Sequence, residues 1–173
     1  MAKRREKTSP ARFKKIEMLA DFTDPEVESI RRIAKEVRVP AGEVIMREGE
    51  VGDSMYLFAE GQVLVTKNLT MKTGKRGFSQ AEKSMVRLDA RYVSFFGDMA
   101  MFEKDVRSAT ITASTDCLLF EIKRQDFERV TQENCALGYK LIRKIATVLC
   151  HRVRQGNQDI LKLTTALSIA LSK

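Results

Sequence analysis

Residues 37 to 123 read as a β-sandwich or jelly roll, with short helices before it and one long helix after it. Three observations predict this. Short runs of β-branched and aromatic residues recur across the segment, broken by glycines. Just upstream, apolar residues repeat at helical spacing behind a capping signal. From about Cys135 to Leu171 the apolar residues fall into heptads.

The elements follow in order. Residues 1–10 are polar and are expected to be disordered. Phe13 to Leu19 fits a short helix. Thr23-Asp24-Pro25-Glu26 is a helix start: a capping residue, proline in the first turn and a glutamate three residues behind the cap. Val27, Ile30, Ile33, Ala34 and Val37 carry that helix on. Strands are expected at Val44–Met46, Tyr56–Phe58, Val63–Val65, Val86–Leu88, Thr110–Thr112 and Leu118–Phe120.

Residues 67–84 are polar and basic and read as a surface loop, the place for a specific partner contact. Thr73-Gly74-Lys75 within it is no phosphate loop, because residue 69 is Leu where glycine is required and Arg76 follows the lysine. Gln125 to Val130 reads as a short helix. In the long helix Ala146, Val153, Ile160 and Leu167 occupy heptad position a, and Ile142, Leu149, Gly156, Leu163 and Ala170 occupy d. Such a stripe predicts pairing with a second copy of the chain. Gly156 interrupts it, as a soft point or as a place where a partner backbone or ligand comes near. The expected boundaries are an arm over 1–12, a jelly roll with its helices over 13–133, and the long helix over 134–173.

Composition narrows the function. The chain has 173 residues, enough for one domain and one appended element. It holds no run of apolar residues long enough to span a membrane, and its basic N-terminus lacks the apolar stretch of a secretory signal. Cys117, Cys135 and Cys150 have no metal-ligand spacing and read as reduced thiols of a cytoplasmic protein. The net charge of +8 is unevenly placed: residues 1–15 hold seven basic side chains against Glu6. That arm is either solvated or touches nucleic acid, an anionic lipid surface or an acidic protein. The single histidine, His151, cannot build the multi-histidine metal site of jelly-roll oxygenases. Glu48, Glu50 and Asp53 sit among glycine corners and read as turn residues, so no catalytic constellation emerges.

The motif that carries chemistry is Phe95-Phe96-Gly97-Asp98-Met99-Ala100-Met101-Phe102, then Arg107-Ser108-Ala109-Thr110. A turn of helix opening at Gly97 presents backbone N–H groups to an anion. Arg107 can fork onto two phosphate oxygens, Ser108 can add a bond, and Asp98 can accept from a sugar hydroxyl. Such a pocket suits a small phosphorylated ribose.

This stretch resembles the phosphate-binding cassette of the cyclic nucleotide-binding domain family, as in catabolite activator proteins and regulatory subunits of cyclic AMP-dependent kinase. Upstream, Pro40-Ala-Gly42-Glu-Val-Ile45, Gly49, Gly52 and Asp53-Ser-Met-Tyr56-Leu-Phe58-Ala-Glu-Gly61-Gln-Val63 are similar to the family's glycine corners. The resemblance covers roughly Phe13 to Ser172. Asp98 stands where the family usually has Glu, about one C–C bond (~1.5 Å) shorter, and Val106 stands where many members have Pro.

The resemblance implies an eight-stranded cyclic nucleotide-binding jelly roll (a double-stranded β-helix) with a long C-terminal dimer helix, and no helix-turn-helix reader before Lys173. It implies a regulatory sensor, not an enzyme. Its ligand would be cyclic AMP, with cyclic GMP second. Gly97, Met99 and Ala100 would offer N–H groups to the cyclic phosphate, Arg107, Ser108 and Ala109 would hold it, and Asp98 would take the ribose 2′-hydroxyl. Met99 beside the turn and Phe127 on the short helix would relay ligand binding, and the long helix would close over the purine near Arg152 and Asn157. The competing reading is a scaffold for protein interaction that keeps the fold and has lost the nucleotide. The downstream protein partner is not named by the sequence, and nucleic acid enters only through the basic arm.

Overall fold

The computed structural model describes residues 10–72 and 78–172. The first nine residues of the basic arm, expected to be disordered, lie outside the described residues. Two compact units emerge, residues 1–130 and 131–173.

The chain enters through helix α1 (Pro10–Phe13) and a separate 3-10 turn (Glu17–Leu19). The sequence by itself reads as a single short helix over 13–19. Ile16 breaks it by taking an extended ψ of 115°. The break lets Phe13, Ile16 and Leu19 all be buried. Phe13 stacks on Phe120 with ring centroids 4.1 Å apart, a contact that local helix propensity does not foresee.

Helix α2 (Asp24–Ile33) starts at Thr23 as its capping signal requires. The Glu26 carboxylate accepts hydrogen bonds from the Thr23 N–H (2.7 Å) and hydroxyl (3.0 Å). The helix stops earlier than its spacing suggests, because Ala34 and Val37 belong to strand β1 (Ala34–Val39). Six consecutive pairs join β1 to β8 (Cys117–Lys123), from Ala34↔Ile122 to Val39↔Cys117. That ladder outweighs the local helical pattern, and Val37 and Val39 serve the two-residue period equally well.

The remaining strands are β2 (Val44–Met46), β3 (Ser54–Glu60), β4 (Gln62–Lys72), β5 (Phe78–Asp89), β6 (Phe95–Phe96) and β7 (Thr110–Ala113). They form two four-stranded antiparallel sheets, ordered β1-β8-β3-β6 and β2-β7-β4-β5. Between the sheets lie Val39, Met46, Phe58, Val63, Phe96, Ile111, Ala113 and Leu119. This is the expected jelly roll, with all six expected strand runs inside its strands.

Residues 67–72 and 78–84 are strand and not surface loop, while Thr73-Gly74-Lys75 lies outside the described residues. Strands β4 and β5 run on as a paired ribbon, from Leu69↔Ala81 to Lys72↔Phe78. Strand β7 pairs only with Val63–Thr66 of β4, so the ribbon extends past its own sheet. A register shift between Lys67 and Leu69 marks its root. There the Asn68 N–H donates to Glu48 Oε2 at 2.9 Å. Cross-strand pairing has overridden the polar composition.

Helix α3 (Met99–Phe102) follows β6, and α4 (Arg124–Glu133) follows β8. Helix α5 runs from Cys135 to Leu171, with the Asn134 side chain accepting from the Leu137 N–H at 3.0 Å. Its buried positions are Leu137, Gly138, Leu141 and Ile145. The heptad stripe is a different face. Ile142, Val153, Ile160, Leu163 and Leu167 are 46–71% exposed, and Tyr139, one heptad before Ala146, joins them at 68%.

Candidate functional site

Strand β6 is only two residues long, and both rings are buried. Phe96 meets Phe58 edge-on at 5.6 Å and Tyr56 at 5.4 Å between centroids. These contacts fix the point from which the chain turns at Gly97. Its φ of +74° is left-handed, a conformation a side chain would strain. A Cβ there would also lie 2.9 Å from Arg107 Nη1. Helix α3 opens directly after Asp98. The N–H of Ala100 donates to the Gly97 carbonyl at 3.3 Å, and that of Met101 to the Asp98 carbonyl at 2.9 Å.

Arg107 is held from both sides. Its N–H donates to the Glu50 carbonyl (2.8 Å), and its carbonyl accepts from the Gly49 N–H (2.9 Å). A bridge between Val51 and Val106 continues this pairing. The guanidinium is buried. Nη1 donates to the Ser54 carbonyl (2.7 Å) and the Gly97 carbonyl (3.2 Å), and Nη2 donates to Ser54 Oγ (3.2 Å). Those three bonds use the end of the guanidinium. Nε, half of the usual fork for a phosphate or carboxylate, bonds to no described residue, and Nη2 spends one of its two N–H groups on Ser54 Oγ. Gly52 lies beside Nε: an added Cβ would sit 2.1 Å from it.

Behind the arginine lies a polar chain. Ser54 Oγ donates to Glu121 Oε1 at 3.2 Å, and Lys35 Nζ is 3.9 Å from the same carboxylate. Burial pushes the neighbouring Tyr56 phenol above its usual pKa, against a hydrogen bond to Ser54, and the Glu121 charge adds to the rise. Ser54 Oγ thus links Arg107 to Glu121, accepting from the guanidinium and donating to the carboxylate.

The structure brings Gly97, Asp98, Met99, Ala100, Arg107, Ser108 and Ala109 together in the first unit. Asp98 and Ala100 are buried, while Met99 and Ser108 are exposed. Arg152 and Asn157 are exposed on α5, in the second unit. The ring that meets Phe127 is that of Phe102, edge-on at 6.5 Å, while Met99 is 53% exposed. Glu48 and Glu50 lie in the turn after β2, and Asp53 directly precedes β3. Among the described residues no cluster of His, Cys, Asp and Glu could hold a metal ion.

Sequence reasoning missed Ser54, Glu121 and Arg124 as parts of this region. Only Ser54 carried a signal, by following the Gly52-Asp53 corner. The others act across contacts that no spacing encodes.

Comparison with known proteins adds the family. The profile of the cyclic nucleotide-binding domain matches residues 36–134. A cyclic nucleotide-gated potassium channel of Rhizobium etli is 34% identical over 120 residues, covering 69% of this chain and 29% of the channel. A cAMP-dependent protein kinase regulatory subunit of Aspergillus niger is 32% identical over 94 residues, covering 54% of this chain and 20% of the subunit. The chain thus spans under a third of these relatives. Among solved structures, a cyclic nucleotide-binding domain from Methylobacillus flagellatus superposes with a TM-score of 0.72 at 23% identity, over 88% of this chain and 84% of that one. The Thermus thermophilus catabolite activator protein gives 0.68 at 20% identity, over 90% and 63%.

Proposed function

This chain belongs to the cyclic nucleotide-binding domain family, and we propose that it is a regulatory sensor whose ligand is cyclic AMP. One observation carries the reading: the buried Arg107 guanidinium, anchored on Ser54 and Gly97, leaves its Nε without a bond to any described residue, beside Gly52 where no side chain intervenes. Nε and the second N–H of Nη2 suit the two exocyclic oxygens of a cyclic phosphate. In this reading Ser108 adds a hydroxyl bond and Asp98 takes the ribose 2′-hydroxyl. Gly97 and Met99 offer backbone N–H groups, with Ala100 joining once its 3.3 Å bond to Gly97 opens. Cyclic AMP is preferred over cyclic GMP because Ser108, not Thr, follows the arginine. The preference is modest, since a serine hydroxyl also reaches a guanine amino group.

Bound nucleotide draws the phosphate turn inward, and the response passes through α4 to α5, with Arg152 and Asn157 on the purine side. The exposed stripe of α5 pairs with the same stripe of a second copy, making the sensor a homodimer.

The second reading, a scaffold without ligand, draws on Asp98, which is only 4% exposed and one carbon shorter than the family's usual glutamate. Calorimetry of the full chain with cyclic AMP, cyclic GMP and a cyclic dinucleotide separates the two. Saturable cyclic AMP binding, tighter than cyclic GMP, is expected. No heat with any of the three leaves the scaffold.

A further inference from the structure

We propose that Arg124 is the positioning residue that ties the phosphate turn to helix α4, so that one cannot move without the other. Arg124 is the first residue of α4. Its Nε donates to the Ala100 carbonyl at 2.6 Å and its Nη2 to the Glu103 carbonyl at 2.8 Å. Helix α3 is a single turn, so its carbonyls have few partners within the helix. A guanidinium placed there satisfies two of them and sets a positive charge at the negative end of the turn.

The same residue is fixed at its other end. Its backbone N–H donates to the Asp53 carbonyl at 2.7 Å. Asp53 adjoins Ser54, whose carbonyl and hydroxyl hold Arg107. Arg124 therefore stands between the two halves of the site, with its main chain on the β3 corner and its side chain on the end of α3. The inference rests on the sensor reading for the identity of the ligand, but not for the existence of the clamp.

The neighbouring apolar contact has a different character. Phe102 meets Phe127 edge-on at 6.5 Å, and both aromatic faces can slide without losing the contact. The guanidinium is planar and its N–H directions are fixed, so a shift of α3 by an ångström breaks two short bonds or carries Arg124 along. Neither sequence spacing nor the phosphate-binding motif points to this residue.

The test is hydrogen exchange on the full chain, as wild type, Arg124→Met and Arg124→Lys. Met keeps an unbranched apolar stem and loses both donors, and Lys keeps the charge and reaches one carbonyl. Without ligand, amides of 100–103 and 124–128 should exchange at least tenfold faster in Arg124→Met, with Arg124→Lys between it and wild type. With saturating cyclic AMP, wild type should change protection in both segments. Arg124→Met should change only in 97–103. A full response of 124–128 in Arg124→Met overturns the proposal.

A ligand-independent arm keeps it falsifiable if cyclic AMP does not bind. Ala100→Gly loosens α3 directly. It should raise exchange in 124–128 of the otherwise wild-type chain and add nothing in the Arg124→Met background. Equal effects in both backgrounds refute the clamp, whereas silent titrations with intact coupling refute only the nucleotide.

Discussion

Gly52 and Arg107 are in contact across the mouth of the site: the missing Cβ of Gly52 would stand 2.1 Å from Arg107 Nε and 2.4 Å from Cζ. Any side chain there must displace the guanidinium. Gly52→Ala is therefore expected to detach Arg107 from Ser54 and weaken cyclic AMP binding more than tenfold. The lost bonds to a charged group should also cost ~1.5–3 kcal/mol of stability. Calorimetry and urea unfolding check both numbers. Wild-type affinity would mean that the fork does not face the ligand.

Arg107 itself is the main anionic anchor. Truncating one partner of a buried charge pair costs ~2–5 kcal/mol, so Arg107→Ala should weaken cyclic AMP at least thirtyfold while the fold survives. Arg107→Lys should rescue little, because one ammonium cannot span Ser54 O, Ser54 Oγ and Gly97 O and still present a fork. Full rescue by Lys in a binding titration would show that charge alone suffices.

The α5 stripe makes a solution prediction. Ile160 and Leu163 are 64% and 71% exposed, and burying such side chains is worth ~1.5–3 kcal/mol each before the entropy of association. The intact chain should sediment as a dimer at micromolar concentration, and Ile160→Asp with Leu163→Asp as a monomer. A dimer that survives both aspartates would place the interface elsewhere.

The thiols should separate cleanly. Cys135 and Cys150 are exposed and Cys117 is buried. Burial raises the Cys117 pKa, and the Asp116 charge adds to it, against hydrogen bonds involving Gln62 and Thr115. A folded pKa above the unfolded one gives a contribution that is complete below the unfolded value, about 8.5. It fades as pH climbs through the folded value. At pH 8 two thiols per chain should react rapidly with a disulfide reagent, and the third only as the protein unfolds. Three fast thiols would contradict the packing of β8.

What the sequence determined was local. A 3.6-residue period is written into every turn, so α5 was legible to its end residues, Cys135 and Leu171. A two-residue period closed by glycines made six of the eight strands legible. The phosphate-binding motif is one continuous stretch whose glycine, acid and arginine stand at fixed offsets, so it too could be read directly.

The tertiary structure decided whatever depends on a distant partner. Ala34–Val39 is a strand because β8 offers it six pairs across a separation of some eighty residues. Residues 67–72 and 78–84 are a ribbon because two modest strands support each other. Arg107 points as it does because of Ser54, |i−j| = 53 away, and the end of α3 is held by Arg124, |i−j| = 24 from Ala100. Hydrogen-bond direction and close packing are properties of the assembled chain. A sequence names the groups that can donate and accept, but only the fold brings a particular donor to a particular carbonyl.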